Sequence, residues 1–367
     1  MSDEKKRILV TRSSMPPYEE FAEMIRPLWD SAWLTNMGEL HKSLERKLAE
    51  YLKTKHLLLF VNGHSALEMA VQALGLSGEV ITTPFSFAST THAIVRNGCT
   101  PVFADIREED YTLDPDRVEE LITEKTTAIL PVHVYGNLCQ VERLEEIAKK
   151  HHLKVLYDAA HAFGVEKNGR GAVTYGDAAM LSFHATKVYH TIEGGAVAFQ
   201  DPAFTQVLKD LKNFGITDEE HVQYVGGNAK MNEFQAAMGL CNLRHVDEEI
   251  EKRRKVCERY REHLEGVPGL KLRTSQPGVK ENYAYFPVVF DGFKKNRDEV
   301  KAALEAEGIG SRKYFYPLIN DYECYRDRYS SKDTPVAKYM ADRVLTLPLF
   351  ASLELEDVDR ICRIILS

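Results

Sequence analysis

The 367 residues contain no C-x-x-C pair, no G-x-x-x-x-G-K loop, no G-x-G-x-x-G turn and no run of 18 unbroken apolar residues. Each absence removes a class of answer. The six cysteines (Cys99, Cys139, Cys241, Cys257, Cys324 and Cys362) are scattered, so neither a disulfide framework nor a cysteine zinc site is signalled, and small buried thiols are expected. Without the two glycine-rich fingerprints, P-loop and dinucleotide Rossmann sites drop out. Without a long apolar run, no membrane-spanning helix is expected. The opening MSDEKKRILV passes from charge straight into a short apolar run, unlike a signal peptide, and gives the expectation of a cytoplasmic protein. Lys and Arg number 47 against 55 Asp and Glu, mixed along the chain, for a net charge of −8. No basic stripe invites nucleic acid or an anionic membrane.

What remains is a soluble composition, 44% hydrophobic and 28% charged, in a chain too long for one ordinary core. Residues 15–52 read as amphipathic helix, interrupted at 33–38 by a turn or by a loop lining a site. From 57 onward, short apolar runs (LLLFV, EVITTPFSF, TPVFADI, TTAILPVHVYG, LKVLYDAAHAFG) alternate with longer helical stretches. That alternation predicts an α/β fold whose mostly parallel sheet is covered on both faces. A long helix is expected over 232–264, with the mixed charges of DEEIEKRRKVCERYREHLE marking a solvated face. It divides the chain into a large unit, 1–249, carrying the N-terminal helical segment, and a smaller α+β unit, 250–367.

Four stretches carry chemistry. In LSFHATKVYHTIEGG, Lys187 lies just past a β-like run, where a cleft is able to lower its pKa and make the neutral amine a nucleophile toward carbonyl carbon. The turn Asn62, Gly63, His64, Ser65 opens a helix and is either a cradle for a phosphate or an ordinary start capped by Ser65. Phe87 stands beyond a strand end, facing a ligand crevice or belonging to the core. Asp158 ends LKVLYD, where a buried carboxylate needs a cation: a protonated ring nitrogen, or an arginine such as Arg170. His161 is within reach of the same ligand. A phosphate cradle, an aromatic face, an aspartate and a lysine together are what pyridoxal 5'-phosphate requires.

The runs NGHSAL, TTPFSF, YDAAHAFG, SFHATK, EGGA and GGNAKMNEFQAAMGL resemble the successive motifs of the DegT/DnrJ sugar-nucleotide aminotransferases, a group of fold type I pyridoxal phosphate enzymes. The resemblance covers nearly the whole chain. It implies that Lys187 carries the coenzyme as a Schiff base and that Asp158 pairs with the pyridine nitrogen. It also implies that Phe87 stacks on the ring and that His161 bonds near its hydroxyl. Gly63, His64, Ser65 and Ser182 would hold the phosphate, with His64 standing where a hydroxyl residue is commoner. Asn228 would reach the neighbouring subunit's coenzyme, so a homodimer with shared sites is implied. Relatives with histidine in place of the lysine eliminate water; Lys187 therefore points to a transaminase that takes its amine from glutamate. The expected acceptor is a nucleotide-linked keto sugar, a dTDP-4-keto-6-deoxyhexose, and the product an amino sugar for a lipopolysaccharide O-antigen or a secondary metabolite. Thr35, His184, His190, Arg312, Tyr314 and Tyr316 are the substrate candidates. Amination at C3, a free or phosphorylated keto sugar, and a non-catalytic sensor on the same fold stay open. No metal site is expected.

Overall fold

The computed structural model describes residues 7–367. Seven strands form the central sheet: β1 (His56–Phe60), β2 (Glu79–Thr82), β3 (Thr100–Phe103), β4 (Thr126–Leu130), β5 (Lys154–Asp158), β6 (Ala178–Ser182) and β7 (Gly195–Phe199). Their spatial order is β1-β7-β6-β5-β4-β2-β3. Neighbours from β3 to β6 pair in parallel, and β7 runs antiparallel to both β6 and β1. The reversal follows from the connection. The β6–β7 link contains no crossover helix, so the chain returns beside the strand it has just left. Sequence periodicity does not carry strand direction, and β7 was not anticipated.

Helices cover both faces, so the strands are buried on both sides and read as apolar runs rather than as alternation. The strand carboxyl ends all open on one edge of the sheet, apart from that of the reversed β7. This brings the segments around residues 62–65, 87, 135, 158–161 and 182–187 to the same rim. None of the described helices is long and apolar enough to cross a membrane.

The helix Glu233–Leu264 starts with a capping box, in which Asn232 and Gln235 satisfy each other's backbone N–H. Its first half packs Ala236, Leu240, Val246 and Ile250 on the core beneath the central sheet. Its second half packs Val256, Tyr260 and Leu264 into another core with the antiparallel strands β8 (Leu270–Leu272), β9 (Phe286–Phe290) and β10 (Val344–Leu347). Ile8 belongs to this second core and pairs with Ile309. The charged run is less solvated than its composition indicates. Arg253 is buried with one guanidinium bond, to the Leu349 carbonyl at 3.3 Å. A long stem with a polar tip lets arginine occupy a core position that pattern reading assigns to the surface.

Candidate active site

Lys187 sits on the turn joining β6 to β7. The base of that turn is closed by Phe183 N–H to the Gly194 carbonyl (2.8 Å) and Thr191 N–H to the Phe183 carbonyl (3.0 Å), and Lys187 N–H donates to His184 O (2.9 Å). The backbone is thereby fixed while the side chain is left free. Its amine makes no ion pair or hydrogen bond with any described residue. Burial pushes its pKa down; Tyr314 and Asp158 oppose the shift and Arg312 adds to it.

Asp158 ends β5 almost fully buried. One carboxylate oxygen accepts Thr90 Oγ1–H at 2.8 Å and the other accepts Ala160 N–H at 3.1 Å. Burial raises its pKa, against these bonds and the charge of Lys187. No cation among the described residues lies within ion-pairing distance. Arg170, the alternative partner, is exposed, bonds Thr174 and lies over the Tyr175 ring at 3.7 Å. Among the described residues the buried carboxylate is therefore left without a countercharge.

At the adjoining strand end, a Cβ added to Gly63 would lie 2.9 Å from Ser182 Cβ, and one on Gly195 2.7 Å from the Asn62 carbonyl. Only glycines allow the β1 turn and the end of β6 to close up. The helix Gly63–Ala73 is capped by Asn62, whose side chain accepts Ser65 N–H at 2.8 Å, rather than by Ser65 itself. The N–H groups of Gly63 and His64 point to no protein acceptor, which is the anion-binding feature of a helix start. The His64 ring is turned away, with Nδ1 2.8 Å from Ser89 Oγ and Nε2 3.3 Å from Glu68. What it can offer a phosphate is its backbone.

Phe87 is 56% exposed, which excludes the core alternative; the buried ring nearby is Phe85. His161 is buried, its Nδ1 accepting Tyr135 N–H at 3.0 Å. Burial and the charge of Lys187 hold its pKa well below the usual imidazole range, so the ring is neutral with its proton on Nε2. Arg312 reaches toward the Tyr314 hydroxyl at 3.5 Å and lies over that ring at 5.6 Å. Tyr316 is exposed beneath Arg297 and Lys313. Thr35 lies exposed in the break between helices, His184 is exposed and bonds Thr186 Oγ1 at 2.8 Å, and Asn228 is exposed on a loop paired with Asn213.

His190 departs from expectation. It is buried, with Nε2 bonded to the Ser14 carbonyl at 2.5 Å and Nδ1 accepting Ile192 N–H at 3.2 Å. With both nitrogens engaged, it ties residues 14–17 to the β6–β7 turn and has nothing left for a sugar.

Sequence reading missed Thr90, Tyr135, Tyr285 and Phe315. Thr90 lies one helical turn after Phe87, and Tyr135 follows β4, so the strand-end rule that found Asp158 reaches both. Tyr285 and Phe315 come from the C-terminal part and pack on His161 with ring centroids 4.7 and 6.1 Å away, a contact with no local signal.

Residues 17–366 match the DegT/DnrJ/EryC1/StrS aminotransferase family. The chain belongs to that family. It is 44% identical over 366 residues to a dTDP-4-amino-4,6-dideoxy-D-glucose transaminase of Escherichia coli, covering 99% of each chain. A transaminase of the same name from Shigella dysenteriae is 42% identical over 350 residues, 95% of each chain. The structure of DesI in the presence of its TDP-sugar product superposes with a TM-score of 0.93 at 36% identity, covering 98% of this chain and 92% of that one. Within this aminotransferase, an unpaired lysine, a buried carboxylate without a cation, an exposed ring and a free helix start share one rim of the sheet.

Proposed function

We propose that this aminotransferase moves the amino group of glutamate to a keto sugar carried on a nucleotide, with dTDP-4-keto-6-deoxyhexose as acceptor and the 4-amino sugar nucleotide as product. The observation that carries the reading is Asp158: a buried, hydrogen-bonded carboxylate whose missing cation a protonated pyridine nitrogen would supply. Pyridoxal 5'-phosphate, bound here, contributes an aldehyde carbon and an electron-withdrawing ring.

The chain's own groups do the rest. Lys187, its pKa lowered by burial, would be the nucleophile that attaches the coenzyme, and its Nζ would be the base that takes up the α-proton of glutamate. Asp158 would hold the proton on the ring nitrogen, and the Thr90 and Ala160 bonds orient its carboxylate. The N–H groups of Gly63 and His64, with Ser65 and Ser182, would hold the phosphate, and Asn228 of a second copy would complete the site. Phe87 would cover the ring, and the Nε2–H of His161 would donate toward its hydroxyl. Arg312, Tyr314 and Tyr316 meet the substrate, with Thr35 and His184 at the rim. The division into a coenzyme-holding part, 1–249, and a smaller part, 250–367, belongs to the same reading, as does action in the cytoplasm as a homodimer.

The test is the absorbance of purified protein with pyridoxal phosphate, wild type beside Lys187→Ala, before and after glutamate. The expected result is a visible band in wild type that glutamate bleaches and that the variant lacks. Product NMR with 3-keto and 4-keto sugar nucleotides then fixes the carbon aminated. A wild type that forms no band overturns the proposal and favours a non-catalytic role.

A further inference from the structure

Three segments meet at one fully buried side chain that the proposed chemistry does not use. Asn282 lies on the linker that leads from β8 into β9, with only 1% of its surface exposed. Its amide nitrogen donates to two carbonyls of the turn after β5, His161 O at 2.8 Å and Phe163 O at 3.0 Å, and its Oδ1 accepts Ala284 N–H at 3.2 Å. The turn after β4 closes the junction. Tyr135 and Gly136 both have positive φ, 59° and 89°, and a Cβ at 136 would lie 2.6 Å from Asn282 Oδ1 and 3.1 Å from His161 O. This position requires glycine, because the turn must approach Asn282 this closely to bring Tyr135 N–H onto His161 Nδ1.

The imidazole is thus gripped by its backbone through Asn282, by Nδ1 through Tyr135 and by its faces through Tyr285 and Phe315. Tyr285 lies three residues past Asn282 on the same linker, and the Tyr135 hydroxyl reaches the Tyr314 carbonyl. Nε2 has no partner among the described residues and keeps accessible surface. An amide that satisfies two carbonyls at once fixes a turn more firmly than either bond alone, because a rotation that improves one bond breaks the other.

We propose that Asn282 is a positioning residue: by clamping the His161 and Phe163 carbonyls it holds the His161 imidazole as its Nε2–H tautomer, with that N–H free for a ligand, and so links the C-terminal part of the chain to the site. The assignment extends the aminotransferase reading and rests on it only for the identity of the ligand.

The experiment is nitrogen-15 NMR of histidine-labelled full-length protein without added coenzyme, with His161→Gln used to assign the His161 signals among the 13 histidines. Wild type is expected to show His161 as a single Nε2–H tautomer across neutral pH. In Asn282→Ala, with unchanged circular dichroism, that pattern is lost to a mixture of tautomers; should this variant not fold, Asn282→Ser, which keeps a shorter donor, is read the same way. A wild-type His161 already in mixed tautomers, or signals unmoved in a folded variant, overturns the assignment. A missing coenzyme band defeats the aminotransferase reading instead and leaves this result standing.

Discussion

Lys187 and Lys212 lie in two regions, both with pKa values lowered by burial, and of the pair only Lys187 makes no bond to a described residue. Lys212 follows the helix Phe204–Leu211 and is completely buried; its amine donates to the Leu59 carbonyl at 3.0 Å and lies 5.5 Å from the Phe60 ring centre. Glu45, on the neighbouring helix, accepts Leu59 N–H at 3.3 Å. Together they satisfy the outward backbone groups of Leu59 on β1, the edge strand of the sheet, and close it to pairing with another chain. Lys187 is half-buried, has no such bond to a described residue, and stands among Asp158, Tyr314 and Arg312. Burial lowers the Lys212 pKa to about 8, so a search by perturbed pKa alone would select it as the nucleophile. The difference lies in what the amine touches. A bonded lysine at a strand edge secures structure, and an unbonded one beside a buried carboxylate is available for chemistry.

Removing each amine in turn is the sharpest way to break that comparison. Lys187→Ala is expected to lower turnover by at least about 10⁴-fold, the upper range for loss of a proton-transfer group, with coenzyme attachment lost and the denaturation midpoint preserved. Single-turnover kinetics with glutamate and a urea titration check the two halves of the claim. A Lys187→Ala protein that retains wild-type turnover sinks the assignment. Asp158→Asn comes next. It keeps the shape but removes the charge that would hold a proton on a ring nitrogen, and turnover is expected to fall about 10²-fold, comparable to removing one preorganised electrostatic group. Restored turnover at high glutamate would show that binding, not chemistry, had been damaged.

On the other side of the comparison, Lys212→Met is expected to leave turnover within about twofold of wild type and to cost about 1 to 3 kcal/mol, the penalty for an unsatisfied buried carbonyl. Its pH signature is specific. The folded-state pKa is lowered to about 8 from 10.5, so between those values the native protein binds fewer protons than the unfolded chain. Wild-type stability relative to Lys212→Met therefore rises as pH climbs from about 8 toward 10.5, and this gain is lost again as pH falls through about 8. Urea unfolding of both proteins across that range measures it, and parallel curves would mean that Lys212 titrates as an ordinary surface lysine.

Legibility from sequence followed the same divide. Lys187, Asp158 and Phe87 were singled out because each follows a buried apolar run, and the structure places all three at the strand-end rim of the sheet. The helix start at Asn232 and its length to Leu264 were legible for an equally local reason, a capping box and a long run of helix-forming residues. Lys212 and Arg253 were not, because a charged residue in a mixed run reads as solvated whichever way its stem turns. His190 was offered as a substrate contact, whereas the structure engages its ring with Ser14, 176 residues earlier. The aromatic packing on His161 by Tyr285 and Phe315 is likewise a product of tertiary folding, with no periodicity to announce it.

The smallest expected effect separates exposure that is idle from exposure that awaits a ligand. Phe87 is 56% exposed, beside a core that already contains Phe85, so its truncation removes little packing and Phe87→Ala is expected to unfold within about 0.5 kcal/mol of wild type. A ring stacked on a coenzyme, however, contributes about 0.5 to 1.5 kcal/mol beyond its area, which corresponds to coenzyme binding weakened about two- to tenfold. Equilibrium titration with pyridoxal phosphate reads this directly, and Phe87→Tyr, which keeps the face, should recover the loss. Equal affinities for all three proteins would make Phe87 a bystander at the rim. A loss in Ala that Tyr restores would mean that the exposed ring, like the unbonded amine of Lys187, is unsatisfied within the chain because its partner is the coenzyme.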